Sequence, residues 1–359
     1  MSATPGLEPP YGGRDPRGMA ALIDAIPEHI EAALARTDAA PWRVPGAAPE
    51  LVAVGGMGGS AIAAELTGAL GEAAFPRPWL VVRDYRWPAC VRPGALAVLS
   101  SNSGNTEETL ALERVARERG VAVVGMASGG ELAARLRAAG DHVQALPAGF
   151  PPRAALFHAW VPMSRLPAAL GWADDAGADW REAATLARSR RATLGPESPE
   201  PVNPAKRLAR ACAGRTIAVY SGTGPLGAVA LRWRHQLNEN AKVLSSCAVV
   251  PELNHNEIVG WQGAGPSHAN RTVIVLRDPE DPAEVAMRLD LTAEYTARRG
   301  AAVHEIRAEG ASRLARMATL VQFGDYLSLY LALLGGADPT DIASIDEFKR
   351  RLAAARHPR

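Results

Sequence analysis

The chain has 359 residues, 47% of them apolar and 21% charged, with a formal charge of +1 at pH 7. That length accommodates two domains with sizeable cores, and near-neutrality supplies no bulk field for nucleic acid or an acidic membrane surface. Three cysteines, Cys90, Cys212 and Cys247, lie far apart without a CxxC pair, which excludes a disulfide framework and a thiolate metal site and predicts a reducing, cytoplasmic setting.

Residues 1–18 read as a loose tail rich in Gly and Pro, without the apolar core of a signal peptide, and a helix follows from Met19 to about Arg36. A βα series begins at residue 51. LVAV (51–54) runs into GGMGGS and the helix AIAAELTGAL, and WLVV (79–82) comes next. ALAVLS (95–100) then leads through SNSGNT into the helix EETLALERVARER, and VAVVGM (121–126) follows. Short apolar strands alternating with helices predict a parallel sheet covered on both faces.

Prolines at 196, 199, 201 and 204 predict a semi-rigid extended connection. Beyond it come TIAVYS (216–221), GTGPLG, a helix through AVALRWRHQLNENAKV, VLSSCAVVPE (243–252), RTVIVLRD (271–278), a helix near 283–299 and AVHEIRA (302–308). The same order used twice predicts an internal duplication and an α/β fold of two doubly wound parallel sheets. Residues 312–334 are apolar on a broad face with Asp325 in the middle, which predicts a C-terminal helix packed on a domain or subunit interface. No run approaches the ~18 apolar residues of a membrane span. The expected organisation is a tail and helix (1–44), a first sheet domain (45–150), connecting helices and a Pro-rich linker (151–204), a second sheet domain (205–311) and a C-terminal helical segment (312–359).

Two loops at strand C-termini carry the candidate chemistry. Gly55-Gly56-Met57-Gly58-Gly59-Ser60 permits close backbone approach and ends in a hydroxyl at a helix start. Ser100-Ser101-Asn102-Ser103-Gly104-Asn105-Thr106 gathers four hydroxyls and a glycine before the next helix, the makings of a phosphate cradle. A helix cap at Asn105, with Glu108 as capping-box partner, explains those two residues but leaves Ser101, Ser103 and Thr106 without a role. A dinucleotide site fits worse, because GGMGGS lacks the GxGxxG spacing. The counterpart loop of the second half, Arg277 to Pro282, carries Asp278, Glu280 and Asp281 and no hydroxyl, so only the first half is expected to bind phosphate.

At these loops the chain resembles the sugar isomerase (SIS) superfamily. Phe150-Pro151-Pro152-Arg153-Ala154-Ala155, the string Arg232 to Lys242 (RWRHQLNENAK), Pro251 to Glu257 (PELNHNE) and Asp346 to Lys349 (DEFK) resemble the bifunctional phosphoglucose/phosphomannose isomerases, in order, from about residue 45 to 352. The resemblance implies two SIS-type domains and aldose–ketose isomerisation between fructose 6-phosphate and glucose or mannose 6-phosphate. It implies Glu239 as the catalytic base and His255 as the ring-opening histidine, brought by the neighbouring subunit of a homodimer. Ser60, Ser101, Ser103 and Thr106, with Gly58 and Gly59, would hold the phosphate. Arg153 would lie beside the reacting carbons, Lys349 carries over as the C-terminal lysine, and Thr340 is the candidate residue on the C2 side of the sugar. Asn102 stands where many relatives have tyrosine, which bears on substrate preference.

The chemistry suits these roles. Isomerisation through an enediol needs one base to move a proton between C2 and C1, with a cation to stabilise the enediolate. Lys349 is one of only three lysines, with Lys206 and Lys242, among 39 basic residues. His255 and Glu257 are only two potential metal ligands and no GxSxG elbow occurs, so neither a metal, a cofactor nor a serine hydrolase is expected. The rival readings are a non-catalytic sugar-phosphate sensor and an isomerase of a different phosphosugar.

Overall fold

The computed structural model describes residues 6–263 and 268–356. After helices α1 (Met19–Asp24) and α2 (Ile26–Ala39) come β1 (Leu51–Gly56), α3 (Gly58–Leu70), β2 (Trp79–Val82), β3 (Ala95–Ser101), α4 (Glu107–Glu118), β4 (Ala122–Ala127), α5 (Gly130–Ala138) and β5 (Val143–Ala145). Helices α6 (Leu156–Ala169), α7 (Gly177–Leu194) and α8 (Pro204–Cys212) lead into β6 (Thr216–Gly222), α9 (Pro225–Glu239), β7 (Ser245–Val250), α10 (Glu257–Gly260), β8 (Arg271–Arg277), α11 (Ala283–Arg298) and β9 (Ala302–Arg307). Helices α12 (Arg313–Gly335) and α13 (Ala343–Arg356) close the chain.

All pairings are parallel, and the two sheets have the orders β2-β1-β3-β4-β5 and β7-β6-β8-β9. The second repeats the first without its last strand, as a duplicated doubly wound unit does. Alternation along each strand sorts side chains into layers. Val52, Val54, Leu96 and Val98 of the first sheet share one core with Ile217, Val219, Ile274 and Leu276 of the second. Ala53, Ala97 and Leu99 point the other way onto α4 and α5, while Ala218, Tyr220, Val273 and Val275 pack into a separate cluster on the far face of the second sheet.

Four expectations change. The helix from Met19 is two helices, broken at Ala25 before Pro27, which lacks an amide proton and starts α2 within its first turn. From Gly6 onward the tail is folded: Leu7 is fully buried and Glu8 accepts from the Glu200 amide at 2.9 Å, while residues 1–5 lie outside the described ones. The proline-rich stretch turns back instead of extending. Asn203 caps α8, and buried Lys206 donates from Nζ to the carbonyls of Pro196 and Ser198, both at 2.8 Å. Finally, α12 is long and apolar enough to cross a membrane by length and composition, yet 94% of its most apolar window is buried inside the protein. It packs against α7, α8 and α9 as the central helix of the shared core.

Beneath the loop that follows β5, Phe150 packs edge-on against His29 and His158, with ring centroids 5.2 and 4.8 Å away. Burial pushes the His158 imidazole from the usual 6.5 down to about 3, with His29 and Arg36 adding to the effect. A histidine held neutral in the fold contributes stability above pH 6.5 and loses it as the pH falls toward 3. Urea unfolding from pH 7 to 4 is therefore expected to lose up to about 1.4 kcal/mol per pH unit from this residue. His158→Gln should flatten that slope, and an unchanged slope would mean that His158 is not the group responsible.

Candidate active site

In a doubly wound sheet the crevice opens at the carboxyl ends of the strands where the order reverses, here between β1 and β3. The loops entering α3 and α4 lie there. A Cβ on Gly59 would come within 2.8 Å of the Pro152 carbonyl, so glycine lets the start of α3 lie against the 150–153 loop. Gly104 has φ +71°, and a Cβ there would strike the Gly129 carbonyl.

The hydroxyls knit the two loops together. Ser60 Oγ accepts the Asn102 amide at 3.0 Å, Ser101 Oγ accepts the Gly104 amide at 3.1 Å, and Ser103 Oγ accepts the Asn105 amide at 3.2 Å. Ser101 and Thr106 share a hydrogen bond of 2.8 Å. Each hydroxyl has one proton to donate, and only one of these four is used within the cluster. Those of Ser60, Ser103 and one of the Ser101–Thr106 pair can serve an anion at the start of α4, whose N-cap, Thr106, makes no side-chain capping bond.

Asn105 does not cap α4. Its Oδ1 accepts the Glu131 amide at 2.9 Å and so ties the loop to the first turn of α5. Asn102 turns inward, with Nδ2 donating to the Phe150 carbonyl at 3.4 Å.

Arg153 follows directly from Pro152 and is 3% exposed. Its Nε donates to Asn240 Oδ1 and its Nη2 to the Pro339 carbonyl, both at 2.6 Å, while Nη1 lies 3.7 Å from Glu239 Oε2. Burial lowers the Arg153 pKa from the ordinary arginine value and Glu239 draws it back up, and an arginine guanidinium stays charged at neutral pH. Glu239 is the last residue of α9 and its side chain is 31% exposed. Lys242, in the left-handed region at φ 55°, donates to the main-chain carbonyls of Glu239 at 2.6 Å and Asp341 at 2.9 Å, and so caps the helix end instead of pairing with the Glu239 carboxylate. A groove of about 490 Å³ opens beside Glu239, lined also by Lys242, Leu244, Asp341 and Ile345, within the range of small-molecule sites. Thr340 is buried next to Pro339, its amide and hydroxyl both bonded to the Asp338 carboxylate.

Gly58, Gly59, Ser60, the 101–106 hydroxyls, Arg153, Glu239 and Thr340 thus belong to one continuous region. His255 does not join it within the chain. It is exposed in the turn after β7, whereas Glu239 ends the crossover that delivers the chain to the start of β7. The two therefore lie toward opposite ends of β7, a strand of six residues that spans ~20 Å. Lys349 is exposed on α13, one turn beyond Ile345 and on the same helix face. Sequence reasoning missed Asn240, the buried holder of Arg153, although its place beside Glu239 at a helix end was a signal.

The corresponding crevice of the second sheet is lined by Thr223, Asp278, Glu280 and Asp281, with Arg313 at its side. Hydrogen bonds to a charged acceptor contribute about 1.5–3 kcal/mol each. Ser103→Ala or Thr106→Ala is therefore expected to weaken hexose 6-phosphate binding about tenfold or more, and Thr223→Ala to change it little. Calorimetric titration would show an equal loss at Thr223 if the phosphate sat in the second half. Among the described residues no three His, Cys, Asp or Glu side chains group as a metal site.

Two parallel sheets of one order, with a hydroxyl loop at the first crevice, define a protein of the SIS sugar-isomerase class. A family model described as the bacterial phospho-glucose isomerase C-terminal SIS domain matches residues 201–352. A bifunctional phosphoglucose/phosphomannose isomerase of Caldicellulosiruptor bescii is 36% identical over 84% of this chain and 89% of its own, and one of Aquifex aeolicus is 33% identical over 83% and 88%. Among solved structures, tagatose-6-phosphate ketose/aldose isomerase from Escherichia coli shares the fold, with a TM-score of 0.66 and 15% identity over 89% of this chain and 93% of that one. The chain belongs to the bifunctional phosphoglucose/phosphomannose isomerase family.

Proposed function

We propose that the protein interconverts fructose 6-phosphate with glucose 6-phosphate and mannose 6-phosphate through a cis-enediol, with Glu239 moving the proton. The observation that carries this reading is the half-buried Glu239 carboxylate 3.7 Å from the buried Arg153 guanidinium. The phosphate would be held by Ser60, Ser101, Ser103 and Thr106 on the backbone of Gly58 and Gly59, anchoring the far end of the chain. Glu239 then takes the C2 proton of an aldose and returns it to C1, while Arg153 stabilises the charge that develops on the enediolate oxygens. Thr340 would border the C2 side.

His255 acts on ring opening from a second copy of the chain, and the protein works as a homodimer. The separation of Glu239 and His255 supports this, as do two exposed apolar patches. Leu244 and Ile345 line the groove beside Glu239, with Phe348 and Leu352 exposed further along α13, and Val259, Met287 and Leu291 lie beside the His255 loop or on the helix that anchors it. Docking one patch on the other satisfies both and brings His255 to the partner's Glu239. Lys349, on the apolar face of α13, would complete the site. The two SIS domains span residues 45–150 and 205–311. The three cysteines are free, which supports a cytoplasmic location.

The test is turnover of the purified protein with each hexose 6-phosphate before and after exhaustive chelation. Turnover is expected to survive EDTA unchanged. Loss restored by zinc would overturn the metal-free mechanism, and tight binding of all three sugars without turnover would make the protein a sensor.

A further inference from the structure

Asp325 sits in the middle of α12, an otherwise apolar helix, and is 4% exposed. Both of its carboxylate oxygens accept from Arg232 Nη2 at 3.1 Å, and Oδ1 also accepts from Gln236 Nε2 at 2.8 Å. The same Arg232 Nη2 donates to the main-chain carbonyl of Arg153 at 2.7 Å. A second path runs from the Asp325 carbonyl, which accepts from Ser328 Oγ at 2.8 Å. Ser328 Oγ in turn accepts from Asn240 Nδ2 at 3.0 Å, and Asn240 Oδ1 holds Arg153 Nε. Arg232, Gln236, Asn240 and Ser328 are each 0 or 1% exposed.

A buried ion pair is poor as a stabiliser, since apolar residues of similar volume often serve as well. Through Arg232 this one grips the Arg153 carbonyl, while the guanidinium is held separately by Asn240 on Ser328, which rests on the main chain of α12. Asp325 also supplies the negative charge that offsets Arg232, a second buried cation next to Arg153. We propose that Asp325 is a positioning residue of the isomerase, its carboxylate fixing Arg153 opposite Glu239 through Arg232. This rests on the role given to Arg153 above. Asp325 touches no substrate. It determines where the cation stands when charge develops on the enediolate, an interaction whose strength depends on sub-ångström placement.

The test uses the full-length protein, with Asp325→Asn, Arg153→Lys, their double variant and the apolar pair Arg232→Met/Asp325→Leu, each checked by thermal unfolding. Asp325→Asn is expected to lower kcat about tenfold or more with KM within about twofold. The double variant is expected to be no worse than Arg153→Lys alone, because both changes remove one function. The apolar pair is expected to fold and to show the same loss of kcat. Full kcat in a folded Asp325→Asn or apolar-pair variant overturns the proposal, and so does an additive loss in the double variant. Failure of both Asp325 variants to fold would make the network structural and overturn it equally. An Arg153→Lys enzyme with wild-type kcat would instead remove Arg153 from the mechanism, a separate failure.

Discussion

Replacing Glu239 by glutamine is expected to abolish isomerisation while leaving hexose 6-phosphate affinity nearly intact. The amide keeps the size of the side chain but cannot accept the C2 proton, and a positioned general base contributes about 10²–10⁴-fold. Its contact with the buried Arg153 is long, 3.7 Å, and its own side chain is 31% exposed, so the glutamine is readily accommodated. Arg153 keeps its bonds to Asn240 and Pro339 and remains in place. Turnover should therefore fall by about three orders of magnitude with a dissociation constant within a few-fold of wild type. In deuterated water the native enzyme should place solvent deuterium at C1 or C2, and the variant should not. Normal turnover in the glutamine variant would remove Glu239 from the mechanism.

Mixing two inactive proteins, Glu239→Gln and His255→Ala, is expected to restore activity. In a two-fold dimer whose sites each take Glu239 from one chain and His255 from the other, a heterodimer has one site with both residues native. Random exchange makes half of the dimers mixed, so about a quarter of the sites recover. The expectation follows from topology: Glu239 ends the crossover before β7 and His255 follows β7, so a whole strand separates them in any one chain. Subunits should be unfolded and refolded together, and the heterodimer verified by mass. No recovery in such a sample would mean that each site is built from a single chain.

The hydroxyl loops were legible in the sequence because strand, turn and helix are contiguous there, and the chemistry lies within the turn itself. The strand series was legible for the same reason, since short apolar runs between turn residues carry their own period. β5 escaped because it has three residues, Val143–Ala145, too few to show any period. Asn105 misled because an Asn before a helix suggests a cap, whereas its partner, the Glu131 amide, lies in another helix. The Arg153 cluster draws on residues 153, 232, 239, 240, 325 and 339. No periodicity links them, and only the resemblance pointed to Glu239 and Arg153. Lys206 was conspicuous as a rare lysine without a motif, and its place is a buried pin for the 196–198 turn, a role that depends on contacts and not on neighbours in sequence.

The shared core around α12 has a mechanical consequence. One face of each sheet and the helices α2, α6, α7, α8, α9 and α12 contribute to one apolar cluster, in which α12 packs on α7, α8 and α9, so the duplicated halves have no independent cores on that side. A hinge between them would tear open the apolar seam that the two halves share, at a cost that grows with every square ångström of apolar area wetted. Clamshell closure, common where two lobes flank a ligand, is therefore unavailable here. A sugar would then enter and leave by the flexing of loops at the crevice rim. Splitting the gene at the midpoint should likewise yield two insoluble fragments, not two working halves.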